Sequence, residues 1–122
     1  MIYMPYPDYR RSAKCLSDEH LKMQRMSCRR LIGVMFASQS FDDEAWMSEW
    51  TSHGDAVLHA TDAVLHERRR RGIDERGVTP WMLMKGTVAP PWLGYADWHE
   101  DQKRTLLRLD PKHYARMMWK VT

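Results

Sequence analysis

Residues 1–30 read MIYMPYPDYRRSAKCLSDEHLKMQRMSCRR, and two opposite backbone preferences meet inside them. Pro5 and Pro7 fix φ and push the residues before them out of the α region, so the aromatic, proline-spaced start is read as extended. A helix is expected to begin at SDEHLKMQR. Ser17 is a good N-cap, and Asp18 and Glu19 set negative charge against the first-turn N–H groups. The extended start delivers the Met1 α-amine to a place chosen by the fold. If it meets the polar stripe of the helix, the chain has a site.

From there the dominant period is helical. Leu21, Cys28, Ile32 and Met35 recur on one side, with Leu31 beside them, which marks a buried stripe reaching about Ser38. Asp42, Asp43 and Glu44 open a second helical stretch, with Trp46 and Trp50 on one face. A third helix is expected from about Asp55, where Val57, Ala60 and Val64 share a face and Leu58 and Leu65 lie beside it. It ends at Arg68 to Arg71 and Gly72, cations and a glycine suited to a helix C-terminus. Residues 72–94, with four glycines and three prolines, read as an irregular segment with one helical turn near Pro80 to Lys85. Asp97 to Arg108 is an amphipathic helix carrying Trp98, Thr105, Leu106 and Leu107. Pro111 begins a last turn into the aromatic tail of Tyr114 and Trp119. No stretch alternates as a strand would. The expectation is an all-α, compact single domain over residues 1–122, with three main helices, short helical turns and the extended start packed on the first long helix.

The net charge of +3 comes from nineteen basic and sixteen acidic residues, and thirteen of the basic ones are Arg. A planar guanidinium suits phosphate, so this composition leans toward nucleic acid; a solvated basic surface explains it equally well. Cys15 and Cys28 show no CxxC spacing and read as buried thiols of a reducing compartment. No basic-then-apolar leader is visible, and the longest uncharged stretch, Leu31 to Phe41, is too short to span a bilayer. A cytoplasmic protein with no membrane partner is expected. His59 and His66 lie two helical turns apart, and His53 adds no paired spacing, so no metal and no cofactor is expected.

On the long helix His20, Gln24, Ser27 and Arg30 follow at spacings of four, three and three, lining one face, with Arg25 and Arg29 on its flanks. A solvent face is the simpler reading of such a stripe. Against it stands the irregular start, which must pack somewhere.

The segments YPDYRRSAKCL and DEHLKMQR, together with PPWLG and WHEDQKRTLLRLDPKHY within Pro90 to Tyr114, resemble the pyrimidine dimer DNA glycosylase family, small all-α enzymes related to phage-type endonuclease V. The middle of the chain matches through Trp50, the Ala/Leu pattern of the third helix and Arg70 to Gly72. The resemblance implies an enzyme that extrudes a nucleotide, attacks the sugar C1′ with an N-terminal amine and forms an imine that permits β-elimination. An α-amine suits this because its ordinary pKa is about 7.7–8.0, lowered further by nearby Arg charges. Ile2 is large, so Met1 is expected to stay and to supply the amine.

Ser27 stands where the resemblance places the family's catalytic glutamate, seven residues after His20. A hydroxyl cannot replace a carboxylate as general acid or base near neutral pH. Seven residues also separate Ser27 from His20 by roughly 10.5 Å along the axis, too far for a nucleophilic dyad. Three accounts stay open: an acid from Glu19, Asp97 or Glu100 takes over, the domain acts differently on a modified pyrimidine, or it binds DNA without cutting. The catalytic candidates are Met1, Ser27 and His20; the substrate-binding candidates are Tyr3, Gln24, Arg25, Arg29, Arg30, Lys103 and Arg104. Arg108 joins Lys103 and Arg104 as the opposite wall of a DNA cleft, and Tyr3, Tyr6, Tyr9, Trp81, Trp92 and Trp98 offer stacking surfaces, though most tryptophans of a small helical domain are core. For Arg68 to Arg71 local electrostatics is the preferred explanation. The expected partner is double-stranded DNA carrying a damaged or modified pyrimidine, bound by a monomer.

Overall fold

The computed structural model describes residues 1–36, 45–73, 75 and 90–121. Six α-helices lie among them, with no strand: α1 (Tyr9–Cys15), α2 (Asp18–Phe36), α3 (Ala45–Thr51), α4 (Gly54–Arg70), α5 (Ala96–Leu109) and α6 (Pro111–Tyr114), the last running into a 3₁₀ turn at Ala115–Met117. The chain is all-α, as its periodicity requires. The expected helical turn near Pro80, the opening at Asp42 to Glu44, the last residues up to Ser38 and the Trp81 side chain lie outside the described residues.

α1 corrects the reading of the start as extended up to Ser17. Asp8 caps it by accepting the Arg11 N–H at 2.7 Å, and the two prolines lie outside it, where they cost the helix nothing. The boundaries of α4 and α5 follow the sequence closely. Ser17 Oγ accepts the His20 N–H at 3.2 Å, so the N-cap of α2 is real. Gly72, just past α4, adopts φ +86°, a left-handed conformation in which a Cβ would be strained.

α4 packs against α1, α2 and α3, and α5 against α6. Leu21, Cys28 and Leu31 of α2 meet Val57, Ala60 and Val64 of α4 in one core, which Trp50, Leu106 and Tyr114 complete. Ile2 and Met4 belong to that core, each 1% exposed. Burying two such side chains contributes about 1.5–3 kcal/mol apiece, and this anchors the leading segment.

An extended segment without a sheet partner must still satisfy its backbone polar groups. Here side chains do so. The Tyr3 N–H donates to Gln24 Oε1 at 2.7 Å and the Met4 N–H to Gln102 Oε1 at 3.2 Å. The Met4 carbonyl accepts from His99 Nδ1 at 2.7 Å, and His99 Nε2 accepts the Gly94 N–H at 2.8 Å. A carbonyl only accepts and an amide N–H only donates, so the His99 proton sits on Nδ1. The segment is thus clamped between α2 and α5.

The arginines after α4 act as local ties. Arg70 and Arg71 pair with Glu67, while Arg71 also reaches Asp18 at 2.8 Å and the Leu16 carbonyl at 2.7 Å, joining the end of α4 to the α1–α2 junction. Arg68 pairs with Glu75. Both cysteines are free and buried, and among the described residues no helix is long and apolar enough to cross a membrane.

Candidate active site

Clamping at Tyr3 and Met4 leaves two residues to bring the chain end onto α2. The Met1 ammonium donates to Ser27 Oγ at 2.7 Å. One helical turn back, Gln24 holds the Tyr3 amide; one turn further, the His20 ring lies 5.5 Å from the Tyr3 ring. His20, Gln24 and Ser27 are 8%, 2% and 7% exposed, so the stripe is covered by the leading segment and is no solvent face. Met1 as a residue is 47% exposed and its contact with Ser27 is only partly buried, so the amine lies at the surface edge of this buried row.

His20 gains a partner that the helix alone does not supply. Its Nδ1 lies 2.7 Å from the Tyr114 hydroxyl, which also accepts the Ser17 N–H at 3.1 Å. Tyr114 stacks on His20 at 5.6 Å and on Trp119 at 5.7 Å, and burial pushes its phenol up to about 12, so it stays protonated at neutral pH. Burial likewise raises the Tyr3 phenol, and it pushes the Cys28 thiol up to about 11 against the opposing influence of Thr61, Arg25 and the chain's terminal charge. Neither group is a nucleophile here.

The remaining candidates separate. Arg25 is engaged in a cluster with Glu75 and Arg68, its Nε 3.4 Å from Glu75 Oε2 with only 11% of the side chain exposed. Arg29 is exposed and Arg30 half-buried on α2. Lys103 pairs with Glu100 at 3.2 Å and lies over the Tyr6 ring, while Arg104 pairs with Asp101 at 2.6 Å on the exposed side of α5. Of the acids considered as stand-ins, Glu19 and Asp97 are exposed and Glu100 is held by Lys103. Tyr9 stacks on His59, and Trp92 sits between Trp50 and Trp98, each at 4.5 Å, so these rings hold the fold together.

Sequence reasoning missed Tyr114, His99 and Gln102, which complete the clamp from the far end of the chain. All three fall inside WHEDQKRTLLRLDPKHY, where the family resemblance is a signal that something was to be held.

The arrangement offers one unusual chemical group: a primary amine whose ordinary pKa of about 7.7–8.0 leaves a nucleophilic fraction at neutrality, held at a fixed place beside a hydroxyl. Among the described residues no three His, Cys, Asp or Glu side chains are grouped to hold a metal ion. A family model described as pyrimidine dimer DNA glycosylase matches residues 1–78, which take in Met1, the whole of α2 and α4. Comparison with curated proteins and with solved structures returns no match. Because the match covers most of the chain and all of the Met1–α2 arrangement, the chain belongs to the pyrimidine dimer DNA glycosylase family, a membership that supports DNA repair by glycosylase chemistry as its general function and DNA as its substrate.

Proposed function

We propose that residues 1–122, acting as one domain and as a monomer, take a damaged or modified pyrimidine nucleotide out of duplex DNA and attack its sugar with the Met1 α-amine. The observation that carries this reading is the 2.7 Å contact between the Met1 nitrogen and Ser27 Oγ, which fixes a primary amine over the buried row of α2. In its neutral form the amine adds its lone pair to C1′, and the base leaves with the electrons of the glycosidic bond and takes up a proton. One amine proton is lost to solvent; the nitrogen lone pair then forms the C1′=N bond while the C1′–O4′ electrons go to O4′, which takes the other amine proton, giving an imine between the Met1 nitrogen and C1′. Removal of a C2′ proton then expels the 3′ phosphate by β-elimination. Pre-placing the amine removes the entropy of bringing it to the carbon, one of the larger contributions available to catalysis.

Within this reading Gln24 places the amine by holding the Tyr3 backbone, and Ser27 orients it by hydrogen bonding. His20, anchored by Tyr114, faces the extruded nucleotide, and Arg29 and Arg30 meet phosphates. Ser27 supplies no carboxylate charge, so the C2′ proton is slow to leave and imine accumulation outpaces strand cleavage.

Borohydride reduction tests this directly. Reaction with DNA carrying an abasic site or a pyrimidine dimer should give a covalent adduct at the Met1 nitrogen, located by peptide mass spectrometry. Adduct at a lysine, or none, defeats the reading. Ser27→Glu should raise strand cleavage.

The serine itself favours a second reading, in which the domain keeps the fold and binds altered DNA without cutting it. Its signature is reversible, salt-sensitive binding with no reduced adduct in either the wild-type chain or Ser27→Glu.

A further inference from the structure

A recess of about 330 Å³ opens between the leading segment, α1 and the turn after α6, lined by Tyr6, Arg11, Lys14, Cys15 and Met117. That volume lies at the small end of ligand sites. Its aromatic wall is held on every side. The Tyr6 N–H donates to Ser12 Oγ at 3.0 Å, the same hydroxyl donates back to the Tyr6 carbonyl at 2.9 Å, and Trp119 Nε1 donates to the Tyr6 hydroxyl at 2.7 Å. A ring fixed at its backbone and its tip gives the recess an ordered wall.

The rim is cationic. The Arg11 guanidinium lies 3.9 Å from the Tyr6 ring centroid, and Lys103 Nζ, ion-paired with Glu100 at 3.2 Å, lies 5.3 Å from it. Lys14 follows Arg11 by three positions on the same face of α1. Among the described residues neither Arg11 nor Lys14 has a carboxylate within ion-pair distance. Two like charges kept side by side on one helix face repel each other, and an anion bound between them would relieve that. Burial pushes the Cys15 thiol up to about 12 against the charges of Arg71, Arg11 and Lys103, so it forms a neutral wall.

We propose that this recess is a nucleotide subsite: a phosphate sits on Arg11 and Lys14, and the attached base or sugar lies against Tyr6 and Met117. The nucleotide belongs to the DNA strand being acted on, an assignment that rests on the reading of DNA as substrate; the phosphate-on-cation chemistry does not. Met1 and Tyr6 are five residues apart in the chain, at most roughly 18 Å, a span that a strand covers in a few nucleotides.

The test is an NMR titration of the whole chain with thymidine 5′-monophosphate, thymidine and a short single-stranded oligothymidylate. The monophosphate should shift Tyr6, Arg11 and Met117 signals saturably, with thymidine at least ten-fold weaker. Arg11→Gln with Lys14→Gln should weaken the monophosphate at least ten-fold with unchanged thermal melting. Lys14→Gln alone, on an exposed helical position, should give a smaller loss should the double variant melt early. Equal binding of thymidine, shifts confined to other surfaces, or Gln variants that bind like the wild type overturn the subsite. An oligonucleotide no tighter than the monophosphate overturns the strand as its source. Neither result touches the borohydride adduct at Met1, so the two readings fail separately.

Discussion

Gln24 Oε1 takes the Tyr3 amide N–H at 2.7 Å, a bond between positions 21 residues apart in which both groups are buried. With the Met1–Ser27 contact, also 2.7 Å, it ties the leading segment to α2, and it sets where the amine comes to rest. Gln24→Leu leaves a buried N–H without a partner and should cost about 1–3 kcal/mol in urea unfolding. Gln24→Glu keeps an oxygen there and should lose less. Equal losses would mean that the bond contributes little.

His99 joins the other side of the clamp through the Met4 carbonyl and the Gly94 N–H. His99→Ala strands both groups, for an expected loss of roughly 2–4 kcal/mol, and should speed hydrogen exchange at the Gly94 amide by more than at α4 amides. Uniform acceleration across the chain would show global destabilisation in place of a released clamp.

Tyr114→Phe keeps the stack on Trp119 but removes the hydroxyl that meets His20 and accepts the Ser17 N–H. The expected cost is about 1–3 kcal/mol, accompanied by a change in the ¹⁵N shifts of the His20 ring. Unchanged shifts would show that Tyr114 does not determine the state of that imidazole.

Two carboxylates should govern the acid limb of stability. For Glu67 the Arg70 hydrogen bond lowers the pKa, burial opposes it, and Arg71 adds to the lowering. For Glu75 burial works upward, yet the hydrogen bond and charge of Arg68, together with Arg25, leave it lowered. A folded pKa below the unfolded value of about 4.3 contributes stability that is complete above that value and lost as pH falls through the folded pKa. Unfolding free energy should therefore be flat near neutrality and drop steeply below about pH 4.3. Glu75→Gln, which strands two largely buried guanidinium groups, should cost roughly 3 kcal/mol near neutrality and make that drop shallower. A parallel downward shift of the whole curve would exclude Glu75 as a titrating contributor.

Arg25 and Arg29 should part company in a DNA-binding assay. Arg29 is exposed on α2, so Arg29→Ala should weaken binding and reduce the slope of log K against log[salt] by about one unit. Arg25 is committed to Glu75, so Arg25→Ala should lower stability and leave that slope unchanged. The reverse pattern would place the phosphate contact on Arg25.

The helices were largely legible in the sequence, because capping and period are local. Ser17 with Asp18 and Glu19 started α2, the Val57, Ala60 and Val64 face phased α4, and Gly72 stopped it. The period also put His20, Gln24 and Ser27 on one face, since a helix makes neighbours of residues three and four apart. α1 was obscured because Pro5 and Pro7 dominate the reading of their surroundings, and a helix of 7 residues offers only two turns of pattern against them. Tertiary structure decided everything that depends on docking. Arg25 is as close to the stripe in sequence as Arg29, yet it meets Glu75 because α4 ends beside it. Tyr114 and His99 reach residues 94 and 95 positions away, and no local propensity encodes such partners. They exist because Ile2, Met4, Leu106 and Tyr114 share one apolar core, and burying those side chains together brings α5 and α6 over the start of the chain.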